Sequence, residues 1–186
     1  YAASLFLKAY AAKGFRVGYF KPIETGVIDL PLDGQKMLEL TQKLNPEFNV
    51  NINDVVPYQF ELPAAPYVAK KDTKISIDSV KEKRDYLLQF CDFLIIEGAG
   101  GLMVPIEEDF FLIDLIKEFD CSAVLIAPSK LGGINDTLLS GLALKNKNIK
   151  YETYINLFQD KKSFFDVSYP YYEKCFKDIK FLSDVK

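Results

Sequence analysis

Apolar residues recur with helical spacing through the opening stretch YAASLFLKAYAAKG, and Gly14 supplies a stop. The pattern then shortens. RVGYF (Arg16 to Phe20) reads as a short buried strand, with KPIETG as the loop that leaves it. Helical spacing returns over Asp33 to Leu44. DVVPYQF (Asp54 to Phe60) is strand-like, but Pro57 cannot donate to a ladder and moves it to an edge. LPAAP (Leu62 to Pro66) reads as a rigid turn, and Ser76 to Phe90 as an amphipathic helix capped by Ser76 or Asp78. The strand FLIIE, a helix around FFLIDLIKEF, the strand AVLIAP and a helix opening near GGINDTLLSGLAL follow. Two further strands, YETYINLF and DIKFL, complete the alternation. Strands alternating with helices predict an α/β domain whose mainly parallel sheet is buried on both faces.

In such sheets, ligands bind beyond the carboxyl ends of the strands. KPIETG, EGAGG, PSKLGG and NLF each follow a strand directly, so they are expected along that edge. In FLIIEGAGG, Glu97 ends an apolar run and glycines follow at once. A carboxylate there can hold Mg²⁺, which favours oxygen ligands and phosphates, and the glycines let backbone amides approach phosphoryl oxygens. A strand-end acid followed by a turn accounts for the same residues. Lys21 leaves its strand beside Glu24 and Thr25, a place that suits anion binding. Most lysines are solvated, and a flexible exposed lysine packs little. Thr25 can donate its hydroxyl to a carbonyl or phosphate oxygen, or shape the turn. Asp33 opens a helix either as an N-cap worth about 1 kcal/mol or as a second acid near the metal. Ser129 to Thr137, SKLGGINDT, enters a helix through two glycines whose amides suit an anion. Asn135 or Asp136 is alternatively that helix's cap.

Composition narrows the chemistry. The chain of 186 residues has no histidine, which removes Ser-His-Asp and Cys-His catalysis, HExxH zinc sites and any histidine base. Carboxylates, lysines, hydroxyls, amides and a bound ion remain. A net charge of −3 argues against a nucleic-acid surface. No apolar run approaches the ~20 residues that span a bilayer. Three cysteines without metal-ligand spacing suit reduced thiols in the cytoplasm.

KPIETG, DG at a helix start, AAP, FLIIEGAGGLMVPI, PSKLGGIND and INL, in this order, resemble the sequence blocks of the dethiobiotin synthetases. The resemblance covers most of Tyr1 to Phe158. It implies a three-layer P-loop NTPase-like fold, with a mainly parallel central sheet flanked by helices. The family's P-loop, G(x)₄GK(S/T), is expected just before Tyr1. Residues 1–186 are thus expected to form a single α/β domain lacking the first strand and P-loop.

The implied reaction closes the ureido ring of the biotin precursor from 7,8-diaminopelargonate, CO₂ or bicarbonate, and ATP with Mg²⁺. One amine captures CO₂ as a carbamate, ATP phosphorylates it, and the second amine attacks the mixed anhydride. By resemblance, Lys21 holds the carbamate and the transferring phosphoryl group, Thr25 contacts substrate, and Asp33 and Glu97 are acidic Mg²⁺ ligands. Gly100 lies where the turn approaches substrate. Gly132, Gly133 and Asn135 match a helix start that receives the substrate carboxylate from the partner subunit, which implies a homodimer. Asn156 matches the asparagine that reads the nucleotide base. The family's Gly/Pro-containing base-binding segment is not found after Phe158, which implies loose base selectivity. Two other readings share the fold: a related amide-forming synthetase and a non-catalytic regulatory domain. A partitioning-type ATPase is disfavoured by the acidic balance.

Overall fold

The computed structural model describes residues 1–158, 161–176 and 179–186. The chain divides into two compact units, the first essentially residues 3–115 and the second 116–186.

The first unit begins with α1 (Ala2–Ala12), stopped by Gly14 at φ +87°. There follow β1 (Val17–Phe20), β2 (Ile23–Thr25), α2 (Leu32–Leu44), α3 (Ile52–Val55), β3 (Tyr58–Phe60), α4 (Pro66–Ala69) and α5 (Ile77–Leu87). β4 (Phe93–Ile96), β5 (Pro105–Glu107), β6 (Phe110–Phe111) and α6 (Leu112–Glu118) come next, and α6 runs across the boundary between the units. All four residues of β1 are buried. β1 pairs in parallel with β4 in the register Val17↔Phe93 to Phe20↔Ile96. β2 pairs in parallel with β3, and β5 pairs antiparallel with β6. α2 buries Gly34, Met37, Leu38 and Thr41, the i, i+3, i+4, i+7 stripe of a helix with one face on a core. Beyond its end, the buried Asn45 amide donates to the carbonyls of Val17 and Phe90, both at 2.9 Å. Gly18 permits close packing over β1, since a Cβ there would lie 2.6 Å from Cys91 Sγ and 2.8 Å from Phe48.

The second unit holds β7 (Ala123–Pro128), α7 (Gly133–Asn146), β8 (Tyr151–Asn156), α8 (Lys161–Val167), α9 (Tyr169–Cys175) and β9 (Lys180–Phe181). The order β7-β8-β9 is parallel throughout, with Ala123↔Tyr151 running to Pro128↔Asn156. Ala127, Ile155, Phe164 and Tyr172 form its buried cluster, with Ile134, Leu157 and Phe181 packed against it.

The α/β alternation is as expected, and every described strand pairing is parallel except β5–β6. Several local expectations are corrected. The stretch from Asp54 is helical to Val55, and the strand starts only at Tyr58, beyond Pro57. Pro66 opens a helical turn, as a residue with fixed φ and no N–H does well. Ser76 is the cap of α5, its hydroxyl accepting from Ser79 N at 3.2 Å. The helices α8 and α9 lie where no element was expected. Asp178, the first residue of the expected strand DIKFL, lies outside the described residues.

Candidate active site

The register of β1 against β4 builds the site. Phe20 lies opposite Ile96, and the ladder continues one step as Glu97 N donates to Phe20 O at 2.8 Å. Lys21 and Glu97 therefore leave adjacent parallel strands side by side. Lys21 Nζ donates to Glu97 Oε1 at 3.0 Å and lies 3.5 Å from Asp33 Oδ2, so one ammonium faces two carboxylates. The lysine is not the exposed side chain expected from its type: it is only 6% exposed, and its backbone N–H donates to Val55 O. Burying a charge demands pairing, and the two acids supply it.

The acids differ in setting. The Glu97 side chain is 37% exposed and the Asp33 side chain 74%, so both present oxygen to solvent. Tyr19, fully buried on β1, donates its hydroxyl to Glu97 Oε2 at 3.0 Å. Burial and then the charge of Glu97 push the Tyr19 phenol well above its ordinary pKa, so it remains a donor. Sequence reasoning did not single out Tyr19. Strand alternation hid it, because the pattern marks a β1 tyrosine simply as core.

Asp33 is not the cap of α2. Pro31 occupies the N-cap position, and Asp33 sits in the first turn. The capping oxygens come from Glu24 on β2, which accepts from Asp33 N at 3.1 Å and Gly34 N at 2.9 Å. Thr25 ends β2 opposite Phe60 and is half-buried. Gly100 lies in the turn after Glu97 at φ +89°, a conformation that glycine adopts without strain. Gly98 has a packing reason as well, since a Cβ there would meet Leu112 Cδ2 at 2.4 Å.

The remaining expected residues belong to the second unit. Pro128 and Asn156 end β7 and β8 opposite each other, so Ser129 to Asn135 and Asn156 share one strand edge. Gly132 is the N-cap of α7 in a left-handed conformation, which neither Asn135 nor Asp136 supplies. Asn135 instead donates to Asp136 Oδ1 at 3.3 Å. The Gly133 N–H already donates to Lys130 O, and a Cβ on Gly133 would meet Pro128 O at 2.4 Å. That glycine has a structural reason independent of any anion.

Comparison with known proteins decides the family. Residues 2–157 match the AAA domain family. The ATP-dependent dethiobiotin synthetase of Sulfurovum sp. is 51% identical over 171 residues, covering 91% of this chain and 81% of the relative. The chain belongs to the dethiobiotin synthetase family. The same enzyme of Wolinella succinogenes is 36% identical, covering 94% of this chain and 82% of its own. That of Methanocaldococcus jannaschii is 34% identical over the whole chain and 84% of the relative. Within this family, the α/β fold and the parallel strand edge carrying Lys21 and Glu97 gain a chemical context.

Proposed function

We infer that the protein is an ATP-dependent dethiobiotin synthetase, a ligase of biotin biosynthesis that closes a cyclic urea from 7,8-diaminopelargonate and CO₂. One observation carries the reading of its site: the buried Lys21 ammonium between the Glu97 and Asp33 carboxylates, at the carboxyl ends of two parallel strands. The reaction needs no histidine. The diamine is its own nucleophile, so the protein orients anions and neutralises charge, as in phosphoryl transfer generally. One amine adds to CO₂ and loses a proton to give a carbamate, whose oxygen takes the terminal phosphoryl group of ATP and releases ADP. The second amine then attacks the carbonyl carbon and expels phosphate.

Lys21 holds the carbamate and the phosphoryl oxygens, exchanging its carboxylate partners for these anions as substrates arrive. Thr25 orients substrate, and Gly100 lets the turn approach it. Glu97 and Asp33 fit Mg²⁺, since both are oxygen donors open to solvent. The described residues include no group of three or more His, Cys, Asp or Glu that could hold a metal alone. Mg²⁺ is commonly held by one or two carboxylates, with phosphates and water completing its shell. When bound, it would neutralise charge on the transferring phosphoryl group. Asn156 reads the nucleotide base.

The assembly is a homodimer in which Gly132, Gly133 and Asn135 receive the substrate carboxylate from the partner subunit. The exposed leucines of α7 support this. Leu131 lies before the helix, and Leu138, Leu139 and Leu142 along it recur at helical spacing, an apolar stripe that a second copy would cover. Among the described residues no helix is long and apolar enough to cross a membrane. The three cysteines, whose scattered spacing suits reduced thiols, favour work in the cytoplasm.

The test is turnover. ADP release should require both 7,8-diaminopelargonate and bicarbonate, with dethiobiotin identified by mass spectrometry. Binding of the diamine without ADP release would favour a regulatory domain instead.

A further inference from the structure

Glu24 is a buried carboxylate that the reaction does not use. It is 7% exposed, and both of its oxygens accept backbone N–H groups of the first turn of α2. Gly34 makes room for it: a Cβ there would lie 3.1 Å from Glu24 Oε2 and 2.2 Å from Val56 Cγ2. One of the two amides belongs to Asp33 itself. The Asp33 side chain is largely exposed, and Lys21 Nζ is the charged group facing it. Its position therefore depends on where the backbone of that turn is held.

We propose that Glu24 is a positioning residue, clamping the first turn of α2 to β2 so that the Asp33 carboxylate faces Lys21. A carboxylate suits this place, because charge-assisted hydrogen bonds to amides are strong and the helix N-terminus favours negative charge. The ladder pairing of Glu24 with Gln59 fixes the strand end of the clamp. The proposal rests on the reading of Asp33 as a metal-facing acid, and its test separates the two.

Glu24→Gln retains the shape but turns an N–H group of its own toward one of the two amides. The Mg²⁺ concentration for half-maximal activity should rise about 10-fold, the lower end of the usual cost of losing a group that orients a metal ligand. Turnover at saturating Mg²⁺ should change far less. In an Asp33→Asn background the same substitution should add no further shift. Amide hydrogen exchange at Asp33 and Gly34 should accelerate whether or not metal is present. Unchanged exchange at these amides, or an equal Mg²⁺ shift in both backgrounds, overturns the clamp. If Asp33→Asn alone leaves the Mg²⁺ dependence unchanged, the metal-facing reading fails while the exchange measurement still decides the clamp. Should Glu24→Gln lose its folded circular dichroism, Glu24→Asp, with a stem one carbon shorter, carries the same readouts with the same expected signs.

Discussion

Lys21 Nζ lies 3.0 Å from Glu97 Oε1, although 76 positions separate the two residues in the chain. Parallel pairing of β1 with β4 makes them neighbours, and burial makes the contact matter. The ammonium is largely out of water, so its partners in any state of the enzyme must be anions.

Lys21→Met keeps the apolar stem and deletes the charge. We expect kcat/KM to fall by about 10²–10³-fold, the usual cost of removing a group aimed at developing charge. Lys21→Arg should not rescue it, because a rigid guanidinium fork does not replace a compact ammonium in a buried slot. Steady-state ADP release, with thermal melting as a control for folding, checks both. Intact kinetics with a lowered melting temperature would make Lys21 a structural residue only.

Glu97→Gln keeps an oxygen that accepts from Tyr19 and removes the charge. Turnover should fall by about 10²–10³-fold while the melting temperature holds. Near wild-type turnover at saturating Mg²⁺ would remove Glu97 from the metal site.

Asp54 tests the pH dependence of stability. Burial raises its pKa, but hydrogen bonds from Lys83 at 2.6 Å and from Asn51 N outweigh that and hold it below the usual carboxylate range. Its stabilisation is therefore present above the unfolded carboxylate pKa of about 4 and is lost as pH falls through the lower folded value. Asp54→Asn should cost about 1 kcal/mol at pH 7, given a partly exposed partner. Melting curves of the variant and the wild type should converge in acid, once the pH has fallen below the depressed folded pKa. A deficit that persists in acid would assign the loss to packing.

Gly132 and Gly133 should respond differently. A side chain at Gly132 meets open space, so Gly132→Ala carries only the strain of φ +87°, about 1–2 kcal/mol. Gly133→Ala drives a Cβ against the Pro128 carbonyl and should destabilise more, because backbone must move. Gly132→Ala is thus the better probe of substrate binding. Chemical denaturation of both, with the KM for 7,8-diaminopelargonate, distinguishes fold from site. Equal stability losses would sink the packing argument.

Leu142→Glu places a charge on the exposed stripe of α7 without touching the core. Analytical ultracentrifugation should show a dimer in the wild type and a monomer in the variant, with unchanged circular dichroism. An active wild-type monomer at assay concentration would rule out the shared site.

The sequence by itself determined the class of fold and the kind of chemistry. Strand-helix alternation is a local signal, and the apolar run of β1 marks a strand whose four residues are all buried. The absence of histidine left carboxylates, lysines, hydroxyls, backbone amides and a bound ion to carry the reaction. The order of KPIETG, EGAGG and KLGGIND pointed to the family. Only tertiary structure decided that Lys21 is buried and meets Glu97, because register between β1 and β4 depends on packing across 76 residues. It also moved the cap of α2 from Asp33 to Glu24 and recruited Tyr19, since a side chain's partner is set by the element packed against it. The same logic explains Gly133: a turn signal in sequence is, in space, a backbone that lies against Pro128.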